Sequence, residues 1–129
     1  MVKMLDQRVA ILPKNTIVTA VPTVSRHIRQ RGFDHAAALA QGFALRRKLA
    51  YIPLFKRISQ QSQHELSGVA RFAAATAAFG LKQQPQKQPV LLIDDIITTG
   101  ATLQACTRLM RESGVDEVYV AVVARQMQK

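Results

Sequence analysis

The sequence contains a single cysteine, no tryptophan and only two tyrosines among its 129 residues. With Cys106 alone, it has neither an internal disulfide framework nor a zinc site built from several thiolates. The scarcity of aromatic rings leaves few surfaces on which nucleic-acid bases could stack. No apolar run approaches the roughly 20 residues that span a bilayer, and the first residues do not have the pattern of a secretory signal. We therefore expect a soluble, cytoplasmic protein in which Cys106 is a small buried hydrophobe.

Acidic residues are also scarce, since 8 Asp and Glu stand against 18 Lys and Arg, which gives a formal net charge of +10. Such an excess favours a polyanionic partner, either a nucleic acid or a multiply phosphorylated metabolite. Charge alone permits single-stranded DNA as a partner without selecting it. Eight of the basic residues lie in three groups, which are Arg26, Arg29 and Arg31, then Arg46, Arg47 and Lys48, then Lys82 and Lys87.

Chain length and a hydrophobic content of 48% predict one domain over residues 1–129. Strands and helices are predicted to alternate, which favours an α/β fold with a Rossmann-like, mostly parallel open sheet and helices on both faces. Strands are predicted over 16–21, 51–58, near 79–81, 90–93 and 118–124. Helices are predicted over 35–49 with Asp34 as the N-cap, over 69–78, and over 101–112 with Gly114 at the end.

The stretch from Val90 to Thr102 carries the strongest functional signal. Four apolar residues precede Asp94 and Asp95, and a hydroxyl-rich turn and a helix follow. Ligands of parallel sheets lie beyond the carboxyl ends of the strands, which is where the two aspartates fall. Adjacent carboxylates on a strand should point to opposite sides of the sheet. They could accept hydrogen bonds from sugar hydroxyls or help to hold Mg²⁺. No Walker A sequence is present, which argues against nucleoside triphosphate hydrolysis. A phosphate would be held by donors of the loop and the helix start, namely Thr98, Thr99, Gly100, Ala101 and Thr102.

This whole stretch closely resembles the phosphoribosyl pyrophosphate (PRPP) signature of type I phosphoribosyltransferases. The resemblance implies the type I phosphoribosyltransferase core, with Asp94 and Asp95 on the ribose 2′ and 3′ hydroxyls and residues 98–102 around the 5′-phosphate. It also implies Mg²⁺ carried with PRPP, and no metal site of the protein's own is assigned. Thr98 stands where some purine-salvage members have an aspartate that contacts the base, which argues against that subgroup.

Further upstream, Val21-Pro22 and the run RHIRQRGFDHAAALA are similar to the competence protein F (ComF) family, and the similarity extends over residues 17–125. By this resemblance, Arg26 would bind pyrophosphate, and Arg71 would belong to a mobile segment that covers the reacting centre. Both arginines are therefore candidate catalytic residues. Members of the family often have a Cys-rich zinc module and a helical segment before the core, whereas this chain is expected to start almost at the first core strand, as a short homologue or a fragment.

Three functional hypotheses follow. The first is an enzyme that transfers phosphoribosyl from Mg-PRPP to an unknown acceptor, with closure of a loop over residues 59–75 in which His64 and Glu65 are the candidate acid–base groups. The second is a non-catalytic module that senses PRPP or a nucleotide, favoured because Ala74 replaces an asparagine of the family's mobile segment. The third is a competence-associated factor that binds single-stranded DNA. A homodimer is compatible with each of them.

Overall fold

The computed structural model describes residues 2–22, 35–57, 79–97 and 100–125. In chain order, the elements are α1 (Val2–Arg8), β1 (Ile17–Ala20), α2 (His35–Arg47), β2 (Ala50–Tyr51), β3 (Phe55–Arg57), β4 (Phe79–Leu81), β5 (Val90–Ile97), α3 (Ala101–Glu112) and β6 (Val118–Arg125). Four strands form a parallel sheet in the order β2-β1-β5-β6, and β3 and β4 form a separate antiparallel pair. The predicted α/β class with a mostly parallel sheet is therefore confirmed.

Strand β5 forms the centre of the core because both of its faces are covered. Val90 and Leu92 pack with residues of α3, whereas Leu91 and Ile93 pack on the opposite face with residues of α1 and α2. All four are at most 1% exposed. Burial on both faces explains why this strand is an unbroken apolar run rather than an alternating one. The predicted arrangement of helices on both faces is confirmed.

The order of the strands creates a switch point between β1 and β5. The connection from β1 through α2 leads outward to β2, and the connection from β5 through α3 leads outward in the other direction to β6. Right-handed crossovers in opposite directions place their helices on opposite faces, as observed for α2 and α3. In open α/β sheets, ligands bind in the crevice at the carboxyl ends of the two strands that flank such a point.

The predicted strand over 51–58 is wrong. Only Ala50–Tyr51 pairs with β1, and the chain then leaves the sheet and forms β3, which pairs with β4. Pro53 has no backbone N–H for a sheet ladder, and the N–H of Leu54 instead donates to the buried Thr19 Oγ1 over 3.2 Å. The strand predicted near 79–81 is confirmed as β4, whereas the helix predicted over 69–78 lies outside the described residues.

Helix α1 precedes the first core strand, contrary to the expectation that the chain begins almost at that strand. Leu5 is buried, and α1 approaches α2 so closely that a Cβ on Gly42 would lie 2.8 Å from Val2 Cγ2. Arg47 donates to the Asp6 carboxylate and to the backbone carbonyls of Asp6 and Val9, the latter two over 2.9 and 2.7 Å. Hydrogen bonds from Arg46 and Arg47 hold the pKa of Asp6 below its usual value. The helical spacing of Val2, Leu5 and Val9 is a signal that predicts this helix.

Two helices end in the same hydrogen-bonded motif but with different residues at its left-handed position. At the end of α3, Gly114 has φ 93°, and the N–H groups of Gly114 and Val115 donate to the carbonyls of Arg111 and Met110. The predicted helix end at Gly114 is thus confirmed. At the end of α2, Lys48 occupies the equivalent position with φ 57°. A left-handed conformation costs a residue with a side chain about 1 kcal/mol relative to glycine.

Replacing Lys48 by glycine is therefore expected to raise the free energy of unfolding by about 1 kcal/mol. Urea unfolding followed by circular dichroism measures the change. The matched control is Gly114→Ala, which should lower the free energy of unfolding by a similar amount. Its added Cβ would meet only Lys87 Cε, at 3.7 Å, so the cost is conformational. A less stable Lys48→Gly variant would show that the lysine side chain stabilises the fold through contacts.

Candidate functional site

Asp94 and Asp95 lie inside β5, because this strand continues to Ile97 rather than ending at Ile93 as the sequence predicted. Pairing with β1 stops at Ile93, whose carbonyl accepts a hydrogen bond from the Val21 N–H over 2.9 Å. Pairing with β6 continues to the end of β5. The two carboxyl groups therefore lie immediately beyond the end of β1, on a strand that β6 still supports. This position is the crevice at the switch point.

The two carboxylates point to opposite faces of the sheet. The register between β5 and β6 is constant along the strand, so the alternation of the core residues extends to the aspartates. Asp94 continues the face of Val90 and Leu92, which α3 covers, and it is half-buried. Asp95 continues the other face and is only 8% exposed. The N–H of Asp95 donates to Asp94 Oδ1 over 2.9 Å, which fixes the orientation of the Asp94 carboxylate.

Cys106 confirms the proximity of Asp94 to α3. Burial and then the negative charge of Asp94 raise the pKa of the Cys106 thiol to about 12. The side chain is fully buried in the same cluster as Leu92 and Met110. A thiol with such a pKa stays protonated at neutral pH and is a poor nucleophile. The prediction that Cys106 is a buried hydrophobe rather than a reactive group is confirmed.

The turn after β5 leads into α3 through Gly100. This residue has φ 82° and ψ 0°, a left-handed conformation that glycine adopts without steric cost. Its carbonyl accepts the first helical hydrogen bond, from Gln104 N–H over 2.9 Å. Backbone N–H groups in the first turn have no partner within the helix, and the helix dipole favours an anion beside them. Gly100, Ala101 and Thr102 are half-buried, so this end of α3 is within reach of solvent.

Four predicted site residues lie outside the described part of the chain, namely Arg26, Arg71, Thr98 and Thr99, and so do His64 and Glu65. Arg26 belongs to the connection between β1 and α2, which begins at the carboxyl edge of the sheet. Arg71 belongs to the connection between β3 and β4, and the residues at its two ends, Arg57 and Phe79, are register partners. The roles of all six residues remain predictions.

The described residues suit a magnesium ion that is held mainly by a substrate. Within 2–22, 35–57, 79–97 and 100–125, no group of three or more His, Cys, Asp or Glu side chains could hold a metal ion. Asp94 and Asp95 form a carboxylate pair, and Mg²⁺ is commonly bound through one or two carboxylates together with substrate phosphates.

Over the same described ranges, no helix is long and apolar enough to cross a membrane.

The sequence matches the model of a known domain family and is similar to curated proteins. The family model described as the phosphoribosyl transferase domain matches residues 28–129. The chain is 36% identical to competence protein F of Haemophilus influenzae, over 81% of this chain and 49% of that protein. It is 35% identical to adenine phosphoribosyltransferase of Polynucleobacter asymbioticus, over 67% of this chain and 49% of that protein. The chain thus spans about half the length of these curated relatives.

The fold is shared with a solved structure described as the allosteric regulatory enzyme of purine biosynthesis. The two superpose with a TM-score of 0.66 at 22% sequence identity, over 95% of this chain and 24% of the other. This structural likeness, at low sequence identity, shows the fold. The sequence motifs indicated a resemblance to competence protein F, and the relative from Haemophilus influenzae confirms it. With the family match covering residues 28–129, the chain belongs to the phosphoribosyl transferase domain family.

Proposed function

We propose that this phosphoribosyltransferase-type domain binds PRPP with Mg²⁺ and transfers the phosphoribosyl group to an acceptor nucleophile, with release of pyrophosphate. The observation that carries the proposal is the position of Asp94 and Asp95. The two carboxylates lie beyond the end of β1 at the switch point of the sheet, and three residues separate the end of β5 from the start of α3. A phosphorylated sugar needs hydrogen-bond acceptors for its hydroxyl groups and, a short distance away, a helix start for its phosphate.

The parts of PRPP match the parts of the crevice. Ionised carboxylates accept hydrogen bonds from hydroxyl groups, and such charge-assisted bonds are stronger than neutral ones. The ribose 2′ and 3′ hydroxyls would therefore lie at Asp94 and Asp95. The 5′-phosphate would lie at the start of α3, where Gly100 allows close approach of the backbone and the helix dipole favours an anion. Thr98 and Thr99 would complete this phosphate loop, as the family resemblance implies.

The chemistry requires charge stabilisation more than covalent help from the protein. The bond between ribose C1′ and the pyrophosphate oxygen breaks, its electron pair leaves with pyrophosphate, and a lone pair of the acceptor forms the new bond to C1′. A transition state of this kind has oxocarbenium character, and negative carboxylates beside the ribose favour the developing positive charge. Mg²⁺ bound with PRPP would neutralise part of the negative charge of the leaving pyrophosphate. Arg26 and Arg71 are the cationic side chains proposed to stabilise the same negative charge.

A non-catalytic PRPP- or nucleotide-sensing module is the second candidate. Its support is Ala74, which stands where the family has an asparagine in the segment that covers the reacting centre. The carboxylate pair and the start of α3 would serve binding equally well in this case. The two candidates therefore predict the same affinity for PRPP and differ only in turnover.

Calorimetry with PRPP and Mg²⁺ tests both candidates at once. We expect saturable binding of Mg-PRPP and weaker binding of ribose 5-phosphate, which lacks the pyrophosphate. Ribose is the control, because it has the hydroxyl groups but no phosphate. A pyrophosphate-release assay with a panel of bases and amines then separates enzyme from sensor, since binding without release selects the sensor. Absence of PRPP binding by the folded protein would contradict both.

A further inference from the structure

We propose that two copies of this chain pair antiparallel along the outer edges of their β6 strands and so form one continuous sheet. Each copy contributes its four parallel strands, of which β6 is the last, with β5 as its neighbour on one side. No strand of the described residues pairs with the other side of β6. The crevice proposed for PRPP lies between β1 and β5, so this proposal is independent of the proposed function. We name the line of contact between the two β6 strands the seam.

Strand β6 lacks the features that keep an edge strand from pairing with another chain. The seven residues from Val118 to Ala124 are all apolar, without a charge or a proline. Their register against β5 is constant, so no bulge interrupts the strand. Natural edge strands are usually short or carry lysine, proline or a bulge, because a long apolar edge is a template for another strand. The outer edge of β6 therefore has the composition of a strand inside a sheet.

Grooves with apolar side chains flank this edge on both faces of the sheet. On the α3 face, Val120 is 46% exposed and lines a groove together with Leu103. On the other face, Ile11 is 98% exposed and lines a groove together with Tyr119. Successive side chains of an added strand point to alternate faces. A strand that paired with β6 would therefore cover apolar surface on both sides.

The hydrogen bonds to β5 show which backbone groups of β6 face outward. The carbonyl of Glu117, the residue before β6, accepts a hydrogen bond from the Val90 N–H over 3.0 Å, so it points towards β5. In a parallel ladder, the groups of every second residue point to the same neighbour. The N–H and carbonyl groups of Val118, Val120 and Val122 therefore point to the outer edge, where a second strand could pair with them.

Geometry and charge together select Ala121 as the centre of the seam. Opposing residues of an antiparallel pair must both direct their backbone groups into it or both away from it, so a twofold axis passes between one residue and its own copy. With the axis at Ala121, all residues of 118–124 are paired, and Glu117 lies opposite Arg125 of the second copy. The Tyr119 hydroxyl donates to the Glu117 carboxylate over 2.6 Å. An axis one residue earlier or later would place Glu117 opposite an uncharged residue.

This register supplies favourable pairs along the whole seam, which is why a second copy fits better than a strand of another sequence. Tyr119 would face Val123 of the second copy, an aromatic and β-branched pair of the kind that stabilises sheets. Val120 would face Val122 on the α3 side. The residues with outward groups would exchange about eight hydrogen bonds, and opposite charges would meet at both ends. Another strand would need the same apolar run between the same charges, which β6 itself provides.

The first test measures the mass of the whole chain by light scattering over a range of concentrations. We expect 14.3 kDa in dilute solution and a rise towards twice that mass at high concentration. At about 0.15 M salt, a Debye length of about 8 Å screens the repulsion between two highly charged copies but not a pair in contact. A mass that stays at 14.3 kDa at about 0.5 mM protein, where weak association would be visible, would overturn the proposal.

Val120→Lys is the variant that should disrupt the seam. Pairing would bury its ammonium group and bring the two copies of the lysine close together across the twofold axis, so self-association should weaken by about 100-fold or more. Leu45→Lys is the matched control, because Leu45 is 82% exposed on α2, and the same charge is added. It should associate within about threefold of the unaltered protein. An equal loss in both variants would overturn the proposal, and circular dichroism checks that both are folded.

Exchange of the charges at the ends of the seam tests its register. Glu117→Arg alone places two arginines opposite each other at both ends and should weaken self-association by about tenfold. Adding Arg125→Glu restores opposite charges and should bring the association back to within about threefold of the unaltered protein. Two variants that each reverse one charge and together restore association are expected only if these positions meet. Failure of the double variant to recover would contradict the antiparallel seam at Ala121.

Amide hydrogen exchange distinguishes a second copy from any other occupant of the edge. The N–H groups of Val118, Val120 and Val122 should become protected as the protein concentration rises, because only the seam supplies their acceptors. Those of Tyr119 and Ala121 point towards β5 and should be protected at every concentration. Protection of the outward groups that does not change with concentration would overturn the proposal. Protection that appears only with an added extended peptide would show that β6 receives a different chain.

Discussion

Replacing Asp94 and Asp95 together by asparagine is expected to weaken binding of Mg-PRPP by about 1,000-fold. Each carboxylate is proposed to accept a hydrogen bond from a ribose hydroxyl, and a hydrogen bond to a charged group contributes about 1.5–3 kcal/mol. The loss of two such bonds amounts to roughly 4 kcal/mol, which is a factor of about 1,000 in affinity. Asparagine keeps the shape of the side chain and one acceptor oxygen, so the change is chiefly one of charge. Calorimetry with PRPP and Mg²⁺ measures it.

The single variants distinguish the two carboxylates. Asp94 is half-buried and its Oδ1 accepts the Asp95 N–H, a bond that the amide oxygen in Asp94→Asn could also accept. Asp95 is only 8% exposed, so Asp95→Asn buries an amide N–H₂ in place of one acceptor oxygen and should also lower the melting temperature. Each single variant should lose roughly 10- to 100-fold in affinity for PRPP.

Asp116→Asn is the matched control, because Asp116 is exposed and precedes β6 at the amino end of the sheet. It should leave the affinity for PRPP unchanged. If the double variant at Asp94 and Asp95 melted like the unaltered protein and bound PRPP within threefold of it, the two carboxylates would not form the ribose site.

The position of the carboxylate pair could be predicted because sequence and burial are directly related in a parallel strand. Four apolar residues in a row indicate two buried faces, and the first acidic residue after them marks the point where one neighbour ends. The length of β5 could not be predicted in this way. It continues through Asp94 and Asp95 because β6 pairs with it as far as Ile97, and support from a strand more than twenty residues later has no local signal in β5.

The errors elsewhere in the fold have the same origin in long-range contacts. The local sequence of residues 51–58 is compatible with one strand, but the hydrogen bond from Leu54 to Thr19 and the pairing of β3 with β4 divide it. At Lys48, nothing in the sequence marks a left-handed residue, because glycine is the usual indicator and is absent. Helix α1 was not predicted, although its apolar spacing is visible in the sequence. A helix of seven residues is not stable alone, so it forms because of its contacts with α2.

The stability of the α2 face depends most on Phe43, and Phe43→Ala is expected to lower the free energy of unfolding by about 3–5 kcal/mol. The ring is fully buried in the cluster that contains Val18, Leu91 and Ile93, on the face of the sheet opposite α3. The Arg47 guanidinium, which also holds α1, lies 5.0 Å from the centre of the ring. Truncation therefore removes apolar contacts, leaves a cavity under α2 and loosens the attachment of α1. Urea unfolding measures the loss.

Leu45 provides the matched control on the same helix. It lies two residues from Phe43 but is 82% exposed, so Leu45→Ala should change the free energy of unfolding by less than about 0.5 kcal/mol. A loss for Phe43→Ala as small as that of the control would mean that α2 does not form part of the core, which would contradict the right-handed crossover from β1 to β2. That crossover fixes the switch point, so such a result would also remove the structural argument for placing PRPP at Asp94 and Asp95.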